Sequence, residues 1–281
     1  MNMNGYPMTP TAIYGIDFSG ALDAGRKIWI ALGVVKGGIL EIRNCRPGFS
    51  IPEGGKKLYE CLPALVNFIA NHRNSVFGFD FPFGVPRAIL ENLGLENWLQ
   101  FILSFSIKFS DPHDFKRKCK ELAGNREAKR MTDRDSNTPF SPYNLWIFKQ
   151  TYFGIKDVLN PLLKSGCACV IPMQPIVDDR PLILEICPRS TLAKEQIAAK
   201  KYKGKTTAHV KHRRQILDSL KDNYVVIPNK KLRRLILKDS GGDALDSVIA
   251  AYAVAKALLN PTFPFPPGWK KEYALEGYVY T

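Results

Sequence analysis

Residues 241–260 read GGDALDSVIAAYAVAKALLN, and the reading of this stretch decides how the rest of the chain is understood. Ala244, Leu245, Val248, Ile249, Tyr252 and Ala255 recur at helical spacing, which predicts a long helix packed against a core. Asp243 and Asp246 are three apart and therefore lie side by side on one face of its first turn. Unpaired N–H groups and the positive end of the helix dipole stabilise carboxylates there, and Asn260-Pro261 ends the element. The two acids either cap the helix or present negative charge to a site, and the choice between these turns on the remaining sequence.

Upstream, acids interrupt or end three apolar runs. Residues 12–18 (AIYGIDF) end in Asp17 before Ser19-Gly20, as a buried strand does when it delivers a carboxylate to its end. Residues 27–35 (KIWIALGVV) and 39–45 (ILEIRNC) are separated by Lys36-Gly37-Gly38, a hairpin signal, so the first three strands are expected as an antiparallel meander. A helical pattern over 55–72, with Pro63 bending it or delaying its start, leads to residues 75–81 (SVFGFDF), where Asp80 is followed by Pro82, Gly84 and Pro86. Residues 181–187 (PLILEIC) carry Glu185. Charged side chains in buried strands are costly unless paired or bound to a cation. Converging carboxylates therefore suggest a site for a hard divalent cation, Mg²⁺ or Mn²⁺.

The intervening segment, 87–170, has helical patches without strand alternation and reads as a mostly helical insertion in a single domain spanning 1–281. It holds a charged stretch, 116–135, and an aromatic one, 140–153 (FSPYNLWIFKQTYF). Together they could form a groove for a nucleic-acid strand, with cations on phosphates and rings on bases; alternatively the rings are insertion core and the charges a solvated face. Residues 194–214 hold eight Lys and Arg against one Glu and read as two helical patches broken at Gly204-Lys205-Thr206-Thr207. A short strand is expected at 224–228, and 230–238 (KKLRRLILK) is again basic.

Of 281 residues, 40 are Lys or Arg and 26 Asp or Glu, a net charge of +14 that favours a polyanionic partner, with nucleic acid first among them. Six cysteines without a CxxC pair, and an opening segment without a leader pattern, suggest a reduced cytosolic protein, and no run is long enough for a membrane span. There is no GxxxxGK[ST] sequence and no GxSxG elbow. His209 with His212, and Cys167 near Cys169, make a weak zinc signal within solvated or apolar contexts.

Several of these segments resemble a known family. GIDFSG at 15–20, GFDFPFG at 78–84, REAKRMTD at 126–133, LEICPR at 184–189 and GGDALDS at 241–247 look like the domain of unknown function 429 family of predicted RNase H-like nucleases. The DALD segment is also similar to the carboxyl-terminal acidic motif of bacterial Holliday-junction resolvases. The resemblance covers nearly the whole chain and implies an α/β RNase H-like mixed sheet, a three-strand meander plus parallel strands, flanked by helices. It implies that Asp17, Asp80 and Asp243 or Asp246 hold Mg²⁺ or Mn²⁺ for phosphodiester hydrolysis, with Glu185 supplementing the acids or pairing with Arg130 or Arg189. Arg130, beside Asp133, would clamp a phosphate or form a structural salt bridge, with Ser19 and Arg189 completing the substrate-facing set. Two other functions compete: a non-catalytic nucleic-acid-binding module, and a phosphotransferase or ATPase on the related actin-like fold, which needs a duplicated unit.

Overall fold

The computed structural model describes residues 12–199, 201–222 and 224–281; the opening segment read above for a leader lies outside them. Eight strands form one sheet: β1 (Ala12–Asp17), β2 (Trp29–Lys36), β3 (Ile39–Pro47), β4 (Ser75–Phe79), β5 (Cys169–Ile171), β6 (Leu182–Ile186), β7 (Val225–Val226) and β8 (Val279–Tyr280). Their order is β5-β6-β4-β1-β2-β3-β7, with β8 also on β6. Only β2 runs antiparallel to its neighbours. This meander continued by parallel strands is the mixed RNase H-like sheet expected from the sequence. The described residues hold one such sheet and no second copy, as an actin-like duplication would require.

The hairpin between β2 and β3 turns on Gly37 and Gly38, both with positive φ (56° and 78°), a backbone that residues with a side chain rarely adopt. Helices α1 (Ala24–Lys27) and α2 (Leu58–Ala70) follow β1 and β3. Pro63 does not delay α2, which already starts at Leu58 and takes the proline in its second turn. Between β4 and β5 the chain forms α3 (Arg87–Asn92), α4 (Trp98–Lys108), α5 (Pro112–Leu122), α6 (Met131–Asp135), α7 (Phe148–Gly154) and, after a π-helical turn at Ile155–Leu159, α8 (Asn160–Ser165). The remaining helices are α9 (Pro188–Lys194), α10 (Thr207–Asp222), α11 (Lys230–Lys238), α12 (Asp243–Leu259) and α13 (Lys271–Glu276). Two short elements depart from expectation. Strand β5 lies at the end of the expected insertion, and residues 195–199 and 201–206 are not helical.

Strand alternation sorts the core into two layers. Tyr14, Ile16, Phe77, Phe79 and Ile183 face α2 and the helices between β4 and β5. Ile13, Val76, Leu182, Leu184 and Ile186 face α12. Helix α12 is buried at every residue from Ala244 to Ala255, and so is apolar around its whole circumference beyond the first turn. It lies directly on β1: a Cβ at Gly15 would stand 2.0 Å from the Ser247 carbonyl oxygen and 2.2 Å from the Ala251 nitrogen.

Candidate active site

The same alternation aims the acids. Asp17, two residues after Gly15, and Asp80, two after Gly78, continue the α12-facing rows of β1 and β4; a Cβ at Gly78 would likewise meet Val254 of α12. The Asp80 N–H donates to the Ile16 carbonyl at 3.1 Å, extending the β1–β4 ladder past the end of β4 and fixing the backbones that carry both acids. The Gln150 side-chain amide holds the Asp80 carbonyl. From above, the first turn of α12 brings Asp243 and Asp246 to the same end of the sheet. These two do not cap their helix: Asp239, after α11, accepts the Gly241 N–H at 3.2 Å and the Ala244 N–H at 3.0 Å. That frees Asp243 and Asp246 for other contacts.

Asp17 is 8% exposed and Asp246 3%, and Asp80 and Asp243 are partly buried. Burial, and then the neighbouring Asp246 charge, push the Asp17 carboxyl well above its ordinary value, with Lys203 pulling the other way. The same causes raise Asp80 to about 7. Burial also raises Asp243, against the pull of Lys203. Charge of one sign has thus been concentrated beyond what the protein neutralises, as at metal and catalytic sites.

The neutralising group is one that sequence reading missed. Lys203 places its ammonium 2.7 Å from Asp246 Oδ2 and 3.6 Å from Asp243 Oδ1, and the Tyr202 hydroxyl donates to Asp246 Oδ1 at 2.7 Å. Burial lowers the Lys203 pKa, but the Asp246 and Asp17 charges outweigh it and keep the ammonium protonated. Both residues sit on an irregular strap, Lys201 to Thr206, held from beneath by Arg213 of α10. The Arg213 guanidinium donates to the carbonyls of Tyr202 and Gly204 (3.1 Å for the latter) and, through Nε, to Leu237 at 2.9 Å. The Gly204 N–H donates to the Ser240 carbonyl at 2.7 Å. His212 Nδ1 lies 2.8 Å from the Lys201 carbonyl and His209 Nδ1 2.6 Å from Thr206 Oγ1, so the two histidines anchor the strap. A Lys-rich stretch in sequence is indistinguishable from a solvated face; the Gly204 break was the available signal.

The hard oxygen donors and the excess negative charge fit a divalent cation, and the Lys203 ammonium already stands between two of them as a cation does. In this arrangement no three such side chains among the described residues are gathered tightly enough to share one ion. Asp246 has both oxygens engaged, so an ion bound to it competes with the Lys203 ammonium and the Tyr202 hydroxyl for the same carboxylate.

Glu185 lies close enough for its charge to raise Asp80 as well, but its side chain has other partners. It pairs in register with Phe79 and so faces the helices between β4 and β5, on the opposite side of the sheet from Asp17 and Asp80. There Arg130 donates to it at 2.8 and 2.5 Å, and the Phe83 N–H at 2.9 Å. Arg130 is 0% exposed, is held by Asp133 at 2.8 and 2.9 Å, and donates to the Glu276 carbonyl at 3.2 Å. Of the two roles left open for Arg130, this arrangement shows the salt bridge: its donors are consumed in a buried ion-pair cluster with Asp133 and Glu185. The Ser19 hydroxyl accepts the Ala21 N–H at 3.3 Å, a turn-forming contact. Arg189, in the first turn of α9, is exposed on the wall of a cavity of about 500 Å³. Asp80 and Asp246 line this cavity together with Arg130, Glu185, Phe140, Lys201, Tyr202 and Lys203, and Ile147 adds an apolar side chain.

The aromatic stretch divides. Tyr143, Phe148 and Tyr152 are core, whereas Trp146 is 77% exposed, two residues before Phe148. In the charged stretch, Arg117 pairs with Asp114 and Glu121 and Lys118 with Asp114 along α5, a solvated face.

No family model and no curated protein matches the sequence, so the likeness to the domain of unknown function 429 family rests on the five quoted segments. Among solved structures the chain is similar to the yeast mitochondrial Holliday junction resolvase. The two are 12% identical with a TM-score of 0.41, over 88% of this chain and 81% of that one. A likeness of that size describes chain course alone.

Proposed function

We propose that the protein is a divalent-metal-dependent phosphodiesterase acting on nucleic acid, a member of the family its five segments resemble. The observation that carries the reading is the convergence of Asp17, Asp80, Asp243 and Asp246, from two strand ends and one helix, with raised carboxyl pKa values and a single neutralising lysine. Asp17, Asp80 and Asp246 would hold Mg²⁺ or Mn²⁺, with Asp243 at the rim. Bound there, such an ion would supply Lewis acidity for activating a water and stabilising the leaving oxygen. Tyr202 orients Asp246 through its hydroxyl. Arg189 and Lys201, on the cavity wall, are placed to receive the nonbridging oxygens of a phosphate, and Phe140 and Ile147 give an apolar side to a base. The cavity falls within the range of small-ligand sites, about 300–1,000 Å³, which suits one nucleotide unit at a time.

The test is cleavage of labelled single-stranded, duplex and branched DNA and RNA in Mg²⁺ or Mn²⁺. Wild type is expected to cleave at least one of them, with Asp17→Asn and Asp246→Asn each lowering the rate by about 10² or more, the scale of losing a principal electrostatic group. Cleavage that survives both substitutions does not come from this centre.

A further inference from the structure

A second groove, of about 450 Å³, opens beside the acid centre and is lined by Trp29, Lys231, Arg234, Leu235, Lys238 and Asp239. Lys231, Arg234 and Lys238 are spaced i, i+3, i+7 and share one exposed face of α11, while Leu232, Ile236 and Leu237 bury the other. Among the described residues none of the three has an acid within ion-pair reach, although Arg233 on the adjoining face pairs with Asp218 at 2.6 Å. Asp239, the one acid of the groove, has its carboxylate engaged by the backbone N–H groups of Gly241 and Ala244. The cations therefore face solvent without internal compensation.

The position of this groove makes it more than a solvated face. Trp29 is the direct cross-strand partner of Asp17, so its side chain lies on the same side of the sheet as the acids. Asp239 ends α11 and caps the helix that carries Asp243 and Asp246. The groove thus adjoins the acid centre through Trp29 and Asp239. Seven residues of helix rise about 10 Å, the length over which one nucleic-acid strand presents about three phosphates.

We infer that the Lys231–Arg234–Lys238 face of α11, with Trp29 as its aromatic floor, is a track that binds the sugar-phosphate backbone of a nucleic-acid strand and guides it to the acid centre. The inference rests on the phosphodiesterase reading for the strand's destination, but not for its binding. Three side chains contact three phosphates through charge-assisted hydrogen bonds, and Trp29 supports the adjacent sugar or base. Positive charge here also offsets the repulsion that four carboxylates exert on an incoming polyanion.

The experiment is fluorescence anisotropy of the full chain with labelled single-stranded DNA, single-stranded RNA and duplex DNA in EDTA, across a salt series. The variant K231A/R234A/K238A is compared with wild type and with K36A/K120A/K164A, which removes three exposed lysines distant from the groove; equal melting temperatures establish that all three proteins are folded. The track variant is expected to lose about 10-fold or more in affinity and to flatten the log–log salt slope by about 2–3, with the control losing far less; the probe bound best by wild type identifies the polymer. Equal losses in the two variants overturn the track. Acid-dependent cleavage alongside an unaffected track variant overturns the track and leaves the phosphodiesterase standing. Track-dependent binding by a protein that cleaves nothing does the reverse. Wild type that binds no probe at low salt overturns both.

Discussion

Asp80 carries the most direct chemical consequence of the arrangement. Its folded pKa of about 7 lies above the ordinary 3.8, because burial and the Asp246 charge disfavour ionisation. Between those values the folded state keeps a proton that the unfolded state has lost. The stability this group contributes is therefore full below about pH 4 and is lost as pH rises through about 7. Asp80→Asn removes that dependence, so in EDTA the melting temperature of the variant should gain on wild type steadily from pH 5 to pH 8. At pH 8 the variant should be more stable by about 1–2 kcal/mol, after allowing for the partial exposure of the side chain. A difference that stays flat over this range means that Asp80 titrates normally and that the acids do not feel one another. At this scale the sequence singled out Asp17 and Asp80, since a carboxylate at the end of an apolar run has few explanations, and Asp246 as one of a pair in a helix's first turn. It was uninformative about Lys203 and Tyr202, whose role depends on a strap that Arg213 fixes from a helix ten residues further on.

The arrangement of elements depends on how closely α12 lies against β1. Gly15 has no room for a side chain against the backbone of Ser247 and Ala251, so the separation between Asp17 and Asp246 is set by a glycine. Gly15→Val must push the helix off the strand or leave the chain partly unfolded. The expected cost is at least about 3 kcal/mol by urea denaturation, the upper range for overpacking, and Gly37→Ala on the open hairpin should cost much less. A Gly15→Val protein of wild-type stability would mean that the helix is not packed as described. Helix α12 was legible because its periodicity and its Asn-Pro stop agree. For Glu185 the sequence left a place among the acids and a pairing with Arg130 or Arg189 both open, and strand parity explains the pairing with Arg130. In LILEI the positions 182, 184 and 186 share one face, and Glu185 falls with Ile183 on the other, where Arg130 meets it. A helical patch was expected up to the break at Gly204, yet residues 201–203 run as a strap whose backbone carbonyls are taken by Arg213 and His212.

Over the whole molecule the charge is unevenly distributed. A net +14 surrounds a centre where four carboxylates meet one lysine, and α11 carries its unpaired cations up to the edge of that centre. The meander and the parallel strands were legible from hairpin glycines and apolar runs; β5 and β8, of three and two residues, were too short to leave a pattern. No helix among the described residues is long and apolar enough to cross a membrane. The basic exterior and acidic centre make sense together if a polyanion is drawn in and a divalent cation screens it from the carboxylates. The decisive measurement is anomalous scattering from crystals soaked in Mn²⁺ at pH 8. The account predicts a peak about 2.1 Å from oxygens of Asp17 and Asp246, with the Lys203 ammonium moved away from Asp246. Crystals that take up Mn²⁺ elsewhere, while Lys203 remains in its salt bridge and the acid centre shows no peak, would contradict it.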